Sequence, residues 1–240
     1  MIYHEGIIIR YALKFISNER LSDAKREADN IFRIPRDDRL VRYFGWFQFR
    51  NLIVIGMELC DGTLNQYLNH PSFTGQNYQY QRFARWDILR KIVGALHECH
   101  SHNFMHRDIK PDNSTRIIYR VLTFLVLYVL DEDNVPHFKL GDFGIARPTF
   151  VPGQFGSVTG DMRYHAPEVS SGRYNELADM FSLGVTMMEI YSEPSRWRAL
   201  AERLCSLDPA ERLSAQQVRE TADANIKYIF AQAYPHHASH

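Results

Sequence analysis

Cysteine is scarce in this chain: Cys60, Cys99 and Cys205 are three in 240 residues, odd in number and far apart. That excludes a disulfide framework and a paired-cysteine zinc site, and it fits reduced thiols in the cytoplasm or nucleus. Net charge is missing as well. Lysine plus arginine and aspartate plus glutamate each count 28, so no bulk positive field exists to hold nucleic acid. A membrane span is also lacking. The segment Ile117 to Leu130 is apolar, but Arg120 and Thr123 interrupt it, and it falls short of the roughly 18–20 residues that crossing requires. The first ten residues contain Ile7-Ile8-Ile9 without the charged region, long apolar core and cleavage site of a signal peptide. Repeats and low-complexity tracts are absent. What remains is an ordinary globular composition, 45% apolar and 23% charged, in a chain long enough for one sizeable domain or two small lobes sharing a cleft.

Hydrophobic periodicity divides the chain into a strand-rich beginning and a helical remainder. Gly6 to Ile16 predicts the remnant of a hairpin leading into a strand. Ser17 to Ile34 places Leu21, Ala24, Ala28, Ile31 and Phe32 at helical spacing, with Ser22 as cap and Pro35 as stop. Val41 to Phe49 and Leu52 to Leu59 read as strands, and Asp61-Gly62-Thr63 marks the boundary. Beyond it, Phe83 to His102, Asn175 to Ser192 and Ser214 to Phe230 predict helices, the first with Trp86, Leu89, Ile92, Val93 and Leu96 on one face.

The chemistry concentrates in three blocks. His106-Arg107-Asp108-Ile109-Lys110-Pro111-Asp112-Asn113 offers a carboxylate base, a cation and an amide; Asp142-Phe143-Gly144 adds a carboxylate with glycines on both sides; Ala166-Pro167-Glu168 follows. Their order resembles that of a eukaryotic-type protein kinase catalytic domain of the serine/threonine branch. The resemblance implies transfer of the ATP γ-phosphate to a protein serine or threonine hydroxyl with Mg2+. On that resemblance Asp108 orients the attacking hydroxyl, Lys110 offsets charge on the transferring group, and Asn113 and Asp142 hold Mg2+. Lys14, in Tyr11-Ala12-Leu13-Lys14, would meet the nucleotide phosphates with Glu27 as its carboxylate partner and Glu19 and Asp23 as alternatives. Glu58 and Cys60, in Met57-Glu58-Leu59-Cys60, would lie on the linker that pairs with adenine, and Met57 would be the gatekeeper. Glu168 would pair with Arg212, and Asp179 would hold the catalytic-loop backbone. Ser157 and Thr159 lie where an activating phosphate would meet Arg107. The cluster His97, Cys99, His100, His102 and His106 lacks the paired spacing of a zinc site.

Four departures accompany the resemblance. Gly6 is the only glycine before Lys14, so no glycine-rich loop covers the phosphates. Residues from Ser114 to about Val126 read as an insertion, beyond which Leu127-Tyr128-Val129-Leu130 resumes a strand. Ile190 to Leu204 is short for the segment that usually joins the buried helix to the late arginine helix, so a helix that docks substrates or partners is expected to be absent. Asp161 stands where a threonine is usual, beside Asp108 in the expected site. The expected architecture is α+β and two-lobed: a partial β-rich lobe over 1–59, a mainly helical lobe over 60–232 and a tail over 233–240. Expected partners are ATP and a protein substrate, with neither nucleic acid nor membrane. The alternative function is that of an inactive pseudokinase acting as a binding module.

Overall fold

The chain was analysed as a computed structural model, which describes residues 2–4, 7–9, 11–17, 25, 28–110, 126–148, 161–190 and 195–233. Strands β1 (Ile2–His4) and β2 (Ile7–Ile9) pair antiparallel as a hairpin of their own. Strand β3 (Tyr11–Ser17) pairs with β5 (Leu52–Glu58), and β5 with β4 (Tyr43–Phe49), giving a three-stranded antiparallel sheet of order β3-β5-β4. The two-residue period sorts its side chains. Ile53 and Ile55 are buried, and Lys14 stands opposite Ile55; Leu13, Phe15, Phe47 and Phe49 on the other face stay 43–54% exposed. Residues 28–31 are helical and bury Ala28 and Ile31 in the main core. Ser22 and Glu27, expected on this helix, lie outside the described residues.

The second lobe begins with β6 (Gly62–Thr63) and α1 (Leu64–Asn69), which Thr63 and Gln66 cap reciprocally. After the short α2 (Pro71–Thr74) comes α3 (Tyr78–Ser101), burying Trp86, Leu89, Ile92, Val93 and Leu96. It starts five residues before the expected Phe83 because the Asn77 side chain accepts the Tyr80 amide at 2.9 Å. Strand β7 (Phe104–Met105) pairs with β10 (Arg147–Pro148), and β8 (Val126–Leu130) pairs with both β6 and β9 (Pro136–Leu140). Val126 is thus a strand residue paired with Leu140, one position earlier than the insertion boundary drawn from sequence; residues 111–125 lie outside the described set.

Helices α4 (Leu177–Ile190), α5 (Arg196–Leu204) and α6 (Ala215–Ala233) complete the lobe. Ser214 caps α6 as expected, accepting the Gln217 amide, and the helix runs on to Ala233, into the expected tail. Among the described residues between Ile190 and Arg212, α5 is followed by a short 3-10 turn over Pro209–Glu211. Trp197 on α5 meets Trp86 on α3 edge to face at 5.1 Å and donates its indole N–H to the Met187 carbonyl at 2.9 Å. Across the lobes, Arg39 lies over α3 at Gly94, where an added Cβ would overlap its guanidinium. Among the described residues no helix is long and apolar enough to cross a membrane.

Candidate active site

The loop from His106 to Lys110 leaves β7 at the end of α3, and one buried carboxylate fixes its backbone. Asp179, in the first turn of α4, accepts the His106 amide at 2.8 Å, the Arg107 amide at 2.7 Å and His100 Nε2 at 2.9 Å. Arg107 adopts φ 71°, a left-handed conformation that is costly for a side-chain-bearing residue and persists where its surroundings over-determine it. Burial alone would raise the Asp179 carboxyl, but the hydrogen bond and charge of His100, with the Arg107 amide, outweigh it and hold the group below the ordinary 3.8. The expected role of Asp179 as backbone anchor is the geometry observed; His100 as a third partner was not foreseen.

His106 joins the two halves of the site. Its Nε2 lies 2.8 Å from the Gly141 carbonyl, and the Asp108 amide approaches Nδ1 at 3.4 Å. A carbonyl only accepts and an amide only donates, so this ring is the Nε2–H tautomer. Its face packs on Phe143 at 4.6 Å, and Phe143 meets Tyr43 at 6.4 Å. A fully buried imidazole therefore ties residue 106, two before Asp108, to residue 141, one before Asp142.

The chemical groups come in two pairs. Lys14 Nζ reaches from the small sheet to Asp142 Oδ1 at 2.8 Å, both side chains largely buried. Asp142 itself has φ 54°. Its Oδ2 is buried and has no hydrogen-bond partner among the described residues. In the second pair Lys110 Nζ grips both Asp108 oxygens, at 2.9 and 3.0 Å. Lys14 and Asp142 thus meet directly, Asp108 and Lys110 meet directly, and His106 links the pairs. Glu27, the expected partner of Lys14, its alternatives Glu19 and Asp23, and Asn113 lie outside the described residues, as do Ser157 and Thr159.

The linker residues behave differently from one another. The Glu58 amide donates to the Arg42 carbonyl at 2.8 Å, and its carboxylate binds Lys139 at 3.0 Å and the Arg42 amide at 3.1 Å. Glu58 is therefore engaged by protein through its amide and side chain, and its carbonyl accepts the Cys60 thiol at 4.0 Å. Cys60 is half-buried, and burial, then the Glu58 charge, push its thiol up to about 12.

Flanking contacts brace this centre. Glu168 receives a two-pronged ion pair from the buried Arg212, at 2.5 and 2.9 Å, as the sequence predicts. Asp161 turns to Arg163, which binds its carboxylate at 2.5 Å, and that guanidinium, ahead of the burial that opposes it, holds Asp161 below the ordinary carboxylate range. Its charge is compensated locally, which removes the expected clash with Asp108. Sequence reading missed His106, His100 and Lys139. His100, near the end of α3, and His106, just after β7, were visible in sequence, but neither contact was foreseen in them; Lys139 lies 81 residues from Glu58 and gave no local signal.

The sequence pattern that defines the protein kinase domain matches residues 3–199, and the chain belongs to that family. The two lobes and the loop anchored by Asp179 are its fold. Among curated relatives, the membrane-associated tyrosine- and threonine-specific cdc2-inhibitory kinase wee-1.3 of Caenorhabditis briggsae is 31% identical over 165 residues, covering 68% of this chain and 22% of that protein. Calcium-dependent protein kinase 5 of Plasmodium berghei is 28% identical over 180 residues, covering 73% and 28% respectively. Calcium-dependent protein kinase 15 of Oryza sativa subsp. japonica is 28% identical over 247 residues, covering 87% and 42%. The chain thus spans between about a fifth and two fifths of the length of these relatives.

Proposed function

We propose that this chain is a protein serine/threonine kinase that transfers the γ-phosphate of ATP to a protein hydroxyl with the help of Mg2+. One observation supports this above the others: Asp142 keeps a buried oxygen without a partner while its other oxygen faces Lys14. A buried unpaired carboxylate oxygen is costly unless a ligand completes it, and a hard cation bound next to a polyphosphate is such a ligand. Among the described residues no group of three or more His, Cys, Asp or Glu gathers as a cage. That fits Mg2+, which takes one or two protein ligands and leaves its other positions to phosphate and water. Asp142, with Asn113, would hold the metal.

The metal–nucleotide complex, when bound, supplies a transferable phosphoryl group whose negative charge is partly neutralised. The chain's residues do the rest. Asp108 accepts a hydrogen bond from the substrate hydroxyl and orients it toward phosphorus; Lys110, now on both Asp108 oxygens, shifts to the phosphoryl oxygens as charge moves there. Lys14 pairs with the phosphates, and the Glu58 carbonyl and Cys60 backbone face adenine. The Asp179 and His106 contacts keep Asp108 and Asp142 in place, so little reorganisation is needed during transfer.

A second reading is a binding module without catalysis. The Lys110 grip on both oxygens of Asp108 favours it, because the acceptor required by a substrate is occupied. The name of the wee-1.3 relative also raises tyrosine as an acceptor. One assay separates these. The protein is mixed with labelled ATP and Mg2+ and with serine, threonine and tyrosine peptides, beside Asp108→Asn. Incorporation into serine or threonine that drops by about 10²–10⁴-fold in the variant supports the kinase reading. Nucleotide binding without incorporation supports the module; incorporation into tyrosine alone rejects the serine/threonine assignment.

A further inference from the structure

The linker between the lobes is fastened to the hairpin that carries Asp142, and one side-chain bond dominates the fastening. Glu58, the last residue of β5, meets Lys139 of β9 at 3.0 Å, and the two side chains are 23% and 11% exposed. Asp61 continues the seam: its amide donates to the Tyr128 carbonyl at 2.9 Å, and its carboxylate accepts the Leu130 amide at 2.8 Å. On the other side, Val41 and Arg39 straddle Leu140, the Val41 amide donating to its carbonyl at 2.9 Å and the Leu140 amide to the Arg39 carbonyl at 2.8 Å. The Glu58 carboxylate also takes the Arg42 amide. Three segments, the approach to β4, the linker and β9, therefore converge two to three residues before Asp142.

We propose that the Glu58–Lys139 ion pair is a positioning device that fixes the linker backbone at 58–60 relative to Asp142 and so sets nucleotide affinity. The inference rests on the kinase reading, in which a nucleotide spans these two places. A ligand held at both ends binds tightly only if the spacing between its two sites is preset, since disorder in that spacing is lost on binding. Backbone bonds at Asp61 and Leu140 hold the flanks of the joint. The Glu58–Lys139 pair is the charged contact between the linker's first residue and the strand entering the metal site, and its low exposure keeps it stronger than a solvent-bathed pair. Glu58 thus affects the nucleotide through where it holds the chain, without its carboxylate touching the ligand.

The test is a titration of the full chain with a fluorescent ATP analogue in the presence of Mg2+, read alongside KM and kcat with a generic peptide and the urea midpoint of the free protein. Lys139→Met weakens nucleotide binding by about five- to tenfold and raises KM for ATP by the same factor, with kcat at saturating ATP within about twofold. Lys139→Arg, which keeps the charge, stays within about twofold of the parent in affinity. Glu58→Gln keeps an acceptor for the Arg42 amide, loses the ion pair and follows Lys139→Met; it decides the matter alone if Lys139→Met does not fold. Parent-like affinity in Lys139→Met or Glu58→Gln, or an equal loss in Lys139→Arg, overturns the proposal and leaves the kinase reading standing. A parent that binds no nucleotide at millimolar concentration overturns both.

Discussion

Asp179 and Asp142 are both buried acids, and they are partnered in opposite ways. Asp179 is saturated, with two backbone amides and an imidazole on its two oxygens. Asp142 has Lys14 on one oxygen and nothing among the described residues on the other. A saturated buried carboxylate strengthens the fold, because its desolvation is offset by charge-assisted hydrogen bonds. A half-satisfied one costs stability and persists when a ligand completes it. The contrast supports the proposal that Asp142 is a ligand site while Asp179 is architecture, without reference to any motif.

Substitutions sharpen that contrast, beginning with the largest effect. Asp142→Asn removes the charge proposed to hold Mg2+ and is expected to lower kcat/KM by about 10³-fold or more. It costs less stability than loss of Asp179, because Asp142 Oδ2 is unpaired and the asparagine Oδ1 still accepts from Lys14. Steady-state kinetics and thermal melts on one preparation check both parts. Asp179→Ala reverses the pattern: removing one member of a buried network costs about 3–5 kcal/mol in urea unfolding, and activity falls because the loop backbone is released. Arg212→Ala, which strands Glu168 opposite an empty guanidinium site, costs about 3 kcal/mol in urea unfolding by the same reasoning. Equal stability losses at 142 and 179 would erase the distinction.

The pH dependence of stability gives a gentler measure of Asp179. Asp179 is depressed in the folded state, so its stabilisation is fully present above the unfolded value and is lost as pH falls through the lower folded value. The parent's advantage over Asp179→Asn therefore stays constant from about pH 5 to 8 and shrinks below about pH 4. Urea midpoints for both proteins across that range give the curve. A constant difference down to the acid limit would mean that Asp179 is not depressed.

Much of the fold could be read from the chain because its signals are local. The α3 stripe at Trp86, Leu89, Ile92, Val93 and Leu96, the Ser214 cap and the alternation through Tyr11–Ser17 each lie within one element. The start of α3 was missed because Tyr78 to Arg82 has no apolar period; the Asn77 cap starts the helix instead. In the site, Asp108, Lys110 and Asp142 were visible as motif residues, and the Glu168–Arg212 pair followed from family resemblance. Their wiring was hidden. The His106 bond to Gly141 and the Glu58 bond to Lys139 join residues 35 and 81 positions apart, and such pairs arise from packing of the lobes, which no window of sequence contains. The compensation of Asp161 by Arg163, only two residues on, was within local reach and was passed over in favour of the more distant Asp108.

The most direct measurement is calorimetric titration of Mn2+ into the parent and Asp142→Asn, each with a saturating non-hydrolysable ATP analogue. With Asp142 Oδ2 as a ligand, the parent binds the metal saturably and the variant, still folded by its thermal melt, binds it at least about tenfold more weakly. Equal metal affinity in the two proteins would show that the orphaned oxygen serves no cation, and the proposed site would be contradicted.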